Sequence, residues 1–331
     1  MKTKRNRTMN KLLGTVLTSA LTISLLAGCG TSSSNKKKVG IIQFMDHTSL
    51  NEIKDSFDKE MKTLGYDDKN IEYTFKNGQG DTNTCASIAN DFAGKNFDCV
   101  MAIATPAAQA VAKLATKTPV VFSAVTDPVG AQLTSSLTKP DKNITGTSDE
   151  VQVDQIIDKA LEINPNTKTI GMLYNKGEAN SVTNIKKAKA YCAKKNIKVE
   201  EATIASVNEA QSAVNVLNSK YDAIFAPNDN TVASAMNVVS DACKKANKPL
   251  YVGADSMVKD GGFLSVGIDY KELGKETAKI VDKVLKGNKV ENIPVKVFKT
   301  NLKIYVNTTT KDKLGIKLPE NITSDSKYTE I

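Results

Sequence analysis

Several short apolar runs, at 100–104, 119–125, 223–226 and 249–252, are each followed within three residues by a polar residue able to hold a small charged molecule. Buried parallel strands read this way, and ligands bind beyond their carboxyl ends in open α/β sheets. Thr105 followed by Pro106 supplies a helix cap and a proline at the first helical position, so free N–H groups there suit a carboxylate. Ser181, after Glu178-Ala-Asn180, offers the same chemistry later in the chain. Asp229 and Asp255 can pair an ammonium in a charge-assisted hydrogen bond. Asp127 can do so too, although an Asp before Pro also shapes turns. Phe44, Tyr174 and Asn175 end the first strand of each half and are placed to line a pocket.

Catalytic chemistry finds little support. The one histidine, His47, rules out an HExxH zinc site and would have to serve any Ser-His-Asp triad. Neither a GxSxG elbow nor a GxxxxGK[ST] loop occurs. His47 follows the first strand, where contact with a ligand and a loop-capping role are equally open. Cys85, Cys99, Cys192 and Cys243 are scattered, with no spacing that implies a metal site or a disulfide framework. No enzyme, metal or cofactor is expected.

These residues need a scaffold, and the chain supplies it twice. Residues 97–128 read as strand, loop, helix, strand, and residues 222–257 repeat that unit. Asp98-Cys-Val-Met-Ala aligns with Asp222-Ala-Ile-Phe-Ala, which sets Thr105 opposite Asp229 and Val125-Thr126 opposite Asp255-Ser256. Matching strands at 39–44 and 170–175 open each half, so two similar α/β lobes are expected. Apolar residues recur at helical spacing from Leu50 to Leu64 and again over 271–285, while 295–306 alternates like a strand.

At 331 residues the chain is long enough for two ordinary domains. Its net charge of +9 suggests an anionic partner, but five of the basic residues fall in the first eleven positions. Without them 40 basic residues face 36 acidic ones, interspersed along helix faces, so nucleic-acid binding is not indicated. Residues 1–28 read as a secretion signal, ending in Leu26-Ala27-Gly28-Cys29. Those four residues resemble the bacterial lipobox, making Cys29 the expected site of lipidation and residues 29–38 its polar tether.

Seven segments together resemble the ABC-importer substrate-binding lipoproteins of the tryptophan/tyrosine-type family. They are IATPAAQA at 103–110, VFSAVTDPVGA at 121–131, NITGTSD at 143–149, LYNKGEANS at 173–181, PNDNTVASA at 227–235, VGIDYKELG at 266–274 and LGIKLP at 314–319. A departure stands at Gly253-Ala-Asp-Ser, where Ala254 replaces an expected acidic or hydroxyl residue. The resemblance implies a type I periplasmic-binding-protein fold: two Rossmann-like lobes with parallel sheets, joined by a three-crossover hinge. It divides the chain into lobe one, 39–148 plus 269–290, and lobe two, 149–268 plus 291–331. It further implies an extracytoplasmic, lipid-anchored monomer that closes on an aromatic amino acid and serves an ABC permease. Phe44, Thr105, Pro106, Asp127, Tyr174, Asn175, Ser181, Asp229 and Asp255 then become the expected ligand-binding set. A sugar- or nucleoside-binding protein of the same fold, or a sensing module for a membrane receptor, remain alternatives.

Overall fold

The computed structural model describes residues 36–300 and 302–331; the signal segment, the lipobox and Cys29 lie outside the described residues. Lobe one begins with β1 (Lys37–Gln43), α1 (Thr48–Thr63), β2 (Ile71–Asn77), α2 (Thr82–Ala93), β3 (Cys99–Ile103), α3 (Thr105–Val111), β4 (Val120–Ser123) and β5 (Ile144–Ser148). The chain then builds α4 (Val153–Ile163), β6 (Thr169–Tyr174), α5 (Ala179–Lys194), β7 (Lys198–Thr203), α6 (Ala210–Asn218) and β8 (Ala223–Ala226). It continues through α7 (Asn230–Ser234), α8 (Met236–Lys245), β9 (Leu250–Val252), α9 (Asp255–Lys259) and β10 (Leu264–Gly267). The last elements are α10 (Tyr270–Leu285), β11 (Lys296–Val297), β12 (Lys303–Val306), α11 (Thr308–Lys313), α12 (Glu320–Thr323) and β13 (Tyr328–Glu330).

Two sheets result. One is ordered β11-β5-β4-β3-β1-β2 and the other β13-β12-β10-β9-β8-β6-β7, so the five strands of the repeat take the same order in each. Pairing is parallel except between β10 and β12. Burial on both faces explains the continuous apolar runs: every residue of β3 and β8 is buried. The chain crosses between the sheets after β5, after β10 and after β11.

After the second crossover α10 returns to lobe one and packs on α1. A Cβ at Gly274 would lie 2.1 Å from Ser56 Oγ and 2.4 Å from the Ile53 carbonyl oxygen, an approach that only glycine permits. The third crossover falls later than the expected boundary at 290/291. Lys296 and Val297 pair with Thr147 and Ser148, while Thr145 Oγ1 donates to the Ile293 carbonyl at 2.7 Å, so this segment belongs to lobe one. The alternating stretch 295–306 is therefore split between the sheets. The expected tether also ends earlier, because Lys37 and Lys38 already pair with Ile71 and Glu72 in β1. Cys85, Cys99, Cys192 and Cys243 are separate buried thiols, each raised by burial.

Candidate ligand site

Loops at the carboxyl ends of strands in both sheets meet at one cavity, the edge where open α/β sheets bind ligands. From lobe one the loops after β1, β3 and β4 bring His47, Ser49, Leu50, Ala104, Thr105, Ala124 and Thr126 to a central cavity. Lobe two supplies Asn180 after β6, Asn228, Asn230 and Ala233 after β8, and Met257 after β9. Asp149 and Tyr270 arrive from the first two crossovers. Gly253 lets the β8 and β9 loops meet here, since a Cβ on it would stand 2.4 Å from the Asn228 nitrogen.

Backbone strain marks the lobe-one side. Ala104 has φ 81° and ψ 154°, a region essentially reserved for glycine, and Ala124 has φ 56°. Ala104 also occupies the cap position of α3, which leaves Thr105 inside the helix rather than capping it. Thr105 Oγ1 is buried with no hydrogen-bond partner among the described residues.

Direct bonds draw the lobes together. Asn228 Nδ2 donates to Thr126 Oγ1 at 2.8 Å and to Asp149 Oδ2 at 2.6 Å. Ser49 and Ser256 share a short hydroxyl contact, and Lys259 reaches Glu52 at 3.0 Å. His47 Nε2 meets Asn230 Oδ1 at 3.1 Å. The Asn230 amide is oriented by Glu178, to which its Nδ2 and backbone N–H both donate, so its oxygen faces His47. His47 Nε2 therefore carries the proton, and burial lowers its pKa to about 4, keeping the ring neutral. Its Nδ1 is left as a buried acceptor with no partner.

Asp149 is the charged side chain among the cavity's lining residues. It accepts from Thr126 Oγ1 at 3.0 Å and from Tyr270 OH at 2.7 Å, besides Asn228, yet forms no ion pair among the described residues. Burial raises its pKa, outweighing those hydrogen bonds. Asn180 Oδ1 also lacks a partner. The cavity thus presents a carboxylate with no cation and the unpaired acceptors His47 Nδ1 and Asn180 Oδ1, with Thr105 Oγ1 able to donate or accept. Leu50, Ala233, Met257 and the Tyr270 ring supply its apolar surface. Its volume is about 10 Å³, roughly one water-sized sphere, so any larger guest requires the lobes to part or these side chains to turn.

Of the residues expected to bind, Thr105 lines this cavity and the others stand behind it or away from it. Asp229 caps α7 through Val232 N–H at 2.8 Å and accepts from Asn175 N–H and Ser181 Oγ, both at 2.6 Å. Asn175 spends its amide on Thr231 Oγ1. Asp255 pairs with Lys259 at 2.7 Å and accepts from the Tyr270 N–H at 3.4 Å, without being among the residues that line the cavity. Tyr174 donates to Glu201 on β7 at 2.5 Å, and Phe44 is packed in the core of lobe one. Pro106 is buried in the first turn of α3, and Asp127 accepts from Gly130 N–H in a turn. Asp149, Asn180, Asn228, Asn230 and Tyr270 were not singled out from the sequence, although the segments GTSD, GEAN, PNDN and GIDY that contain them were.

Comparison with known proteins extends this picture. The family model for ABC transporter substrate binding proteins matches residues 38–329. A tyrosine-binding protein of Clostridioides difficile (strain R20291) is 34% identical over 299 residues, covering 86% of this chain and 87% of the relative. A Streptococcus pneumoniae ABC domain solved in complex with L-Trp is 38% identical, with a TM-score of 0.85 and coverage of 89% of this chain and 100% of that one. The ligand-free, open structure of an adhesive substrate binding protein from Clostridium difficile is 35% identical, covers 89% and 99%, and gives a TM-score of 0.67. At similar identity the overlay is thus better on the Trp complex than on the open structure, in keeping with the lobe-to-lobe bonds described above.

Proposed function

Because the chain belongs to the ABC transporter substrate-binding protein family, and is thereby an extracytoplasmic solute receptor, we propose that its solute is an aromatic amino acid. The uncompensated Asp149 carboxylate carries this reading. A buried charge needs a partner, and the ligand's α-ammonium provides one, with His47 Nδ1 and Asn180 Oδ1 as further acceptors for its protons. Thr105 Oγ1 and the first-turn N–H groups of α3 are placed for the α-carboxylate, with Pro106 contributing no donor. Leu50, Met257 and Tyr270 flank the remaining space and turn outward around the ring as the lobes close. The tyrosine-binding and L-Trp-bound relatives support the aromatic assignment.

The same reading makes the protein a monomeric, non-enzymatic receptor. Cys29 carries the lipid that holds it at the membrane, where it hands solute to an ABC permease; no helix of the described residues is long and apolar enough to cross a membrane. The chain contains no Trp, so indole emission reports only on bound ligand. Natively purified protein titrated with L-Trp should show saturable, blue-shifted indole emission or, if L-Tyr is preferred, displacement of that signal by L-Tyr. Absence of both, with a saturable response to a sugar or nucleoside, would transfer the protein to the alternative solute class.

A further inference from the structure

The amino-terminal end of lobe one's sheet carries a groove of about 920 Å³ on the side of the sheet opposite the cleft. Lys36, Lys37, Lys38, Lys95, Lys113 and Lys117 line it, with Asp98 as the acid among its lining residues. Lys37 pairs with Asp98 at 3.4 Å and Lys95 with Asp91 at 2.9 Å, whereas Lys36, Lys38 and Lys117 are in no ion pair among the described residues. Residues 36–331 hold 40 basic and 36 acidic side chains, and the groove's six lysines against Asp98 give it a local positive excess of five.

Its position in the chain says what it meets. Lys36 lies seven residues after Cys29, a stretch that spans at most about 25 Å when fully extended. A lipid on Cys29 would hold the groove near the bilayer at a high effective concentration, where even weak attraction is sufficient. We propose that this groove docks lobe one on an anionic membrane surface. Strands β1, β3 and β4 run away from the groove toward the cleft, so docking holds the cleft facing outward from the bilayer, the posture for capturing solute.

Both sheets and their cores lie within residues 36–331, so a chain beginning at Gly30 contains the complete folded unit and needs no lipid for the test. Its co-sedimentation is measured with vesicles of equal phosphatidylglycerol and phosphatidylcholine, and with pure phosphatidylcholine, at 20 and 300 mM salt. Binding to the anionic vesicles alone, lost at high salt, is expected. Lys36→Glu/Lys38→Glu/Lys117→Glu should weaken it by at least about two orders of magnitude, since the loss of each surface lysine costs about fivefold and each added glutamate repels the anionic surface further. A control with the same charge change, Lys186→Glu/Lys220→Glu/Lys313→Glu, should retain most of the binding. Equal losses in the two variants, no preference for anionic vesicles, or binding of soluble polyphosphate without vesicle binding would each overturn the proposal. Thermal melting of both variants, expected within a few degrees of the parent, separates these outcomes from misfolding.

Discussion

Replacing Asp149 by Asn tests whether the cleft recognises an ammonium. The carboxylate is buried, accepts from Thr126, Asn228 and Tyr270, and has no cation beside it. A hydrogen bond to a charged group contributes about 1.5–3 kcal/mol, so losing the negative charge should weaken amino-acid binding about 10- to 150-fold. Stability without ligand should move the other way or not at all. Burial raises the carboxyl's folded pKa above its unfolded value, so the folded state binds the proton more tightly. Stability is then lost as pH rises through the window between the two values, and the uncharged amide avoids that loss. Calorimetric titration gives the affinity, and thermal melting without ligand at pH 5 and pH 8 gives the stability. Affinity within twofold of the parent would remove Asp149 from ligand recognition. A large drop in ligand-free melting temperature would reduce its role to holding Asn228 and Tyr270 in place.

Three other perturbations address the strain, the pH response and the closure. Ala104→Gly should raise stability by up to about 2 kcal/mol in chemical denaturation, because relief of about 1–3 kcal/mol of backbone strain exceeds glycine's entropic disadvantage; a loss would show that the φ of 81° is not strained. Asp255 is pushed up to about 6, chiefly by burial, which outweighs Lys259, so its contribution to stability should fall between about pH 4 and pH 6 as pH rises. Asp255→Asn should flatten the melting-temperature profile over that interval, and an unchanged slope would assign it to other groups. Glu52→Gln removes the lobe-one partner of Lys259 and should shift the ligand-free population toward open lobes, seen as a larger radius of gyration in small-angle scattering; an unchanged radius would show that this ion pair does not hold the cleft shut.

The scaffold was legible because parallel strands buried on both faces leave continuous apolar runs, and because those runs occur twice. The repeat at 97–128 and 222–257 becomes β3–β4 and β8–β9, which hold matching places in two sheets with the same order of five strands. Strand β11 has two residues and no periodicity to read, so the last crossover was misplaced. At the site, the segments quoted from the sequence contain the residues that line the cavity, but charge pointed to a neighbour in one of them. In Pro227-Asn-Asp-Asn the carboxylate of Asp229 turns back to cap α7, which leaves Asn228 and Asn230 to face the cleft. Asp149 follows β5, whose sequence ITGTS looks too polar for a buried strand. Its threonines are buried because Thr145 donates to the Ile293 carbonyl and Thr147 shares a hydroxyl contact with Thr277 on α10, partners that arrive 148 and 130 residues later in the sequence. Long-range satisfaction of this kind has no local signature.

The central claim is that the cleft closes on an aromatic amino acid held at both its charged ends. Calorimetric titration with L-Trp, L-Tyr and L-Phe, run beside tryptamine and indole-3-propionate, tests it most directly. At least one of the three amino acids should bind at one site per chain, while the two analogues, each lacking one charged group, should bind at least tenfold more weakly than L-Trp if L-Trp is the ligand, or fail to displace the preferred amino acid otherwise. Binding of indole-3-propionate as tight as that of L-Trp would contradict the role given to Asp149. No heat with any aromatic amino acid, together with saturable binding of a sugar or nucleoside, would contradict the account as a whole.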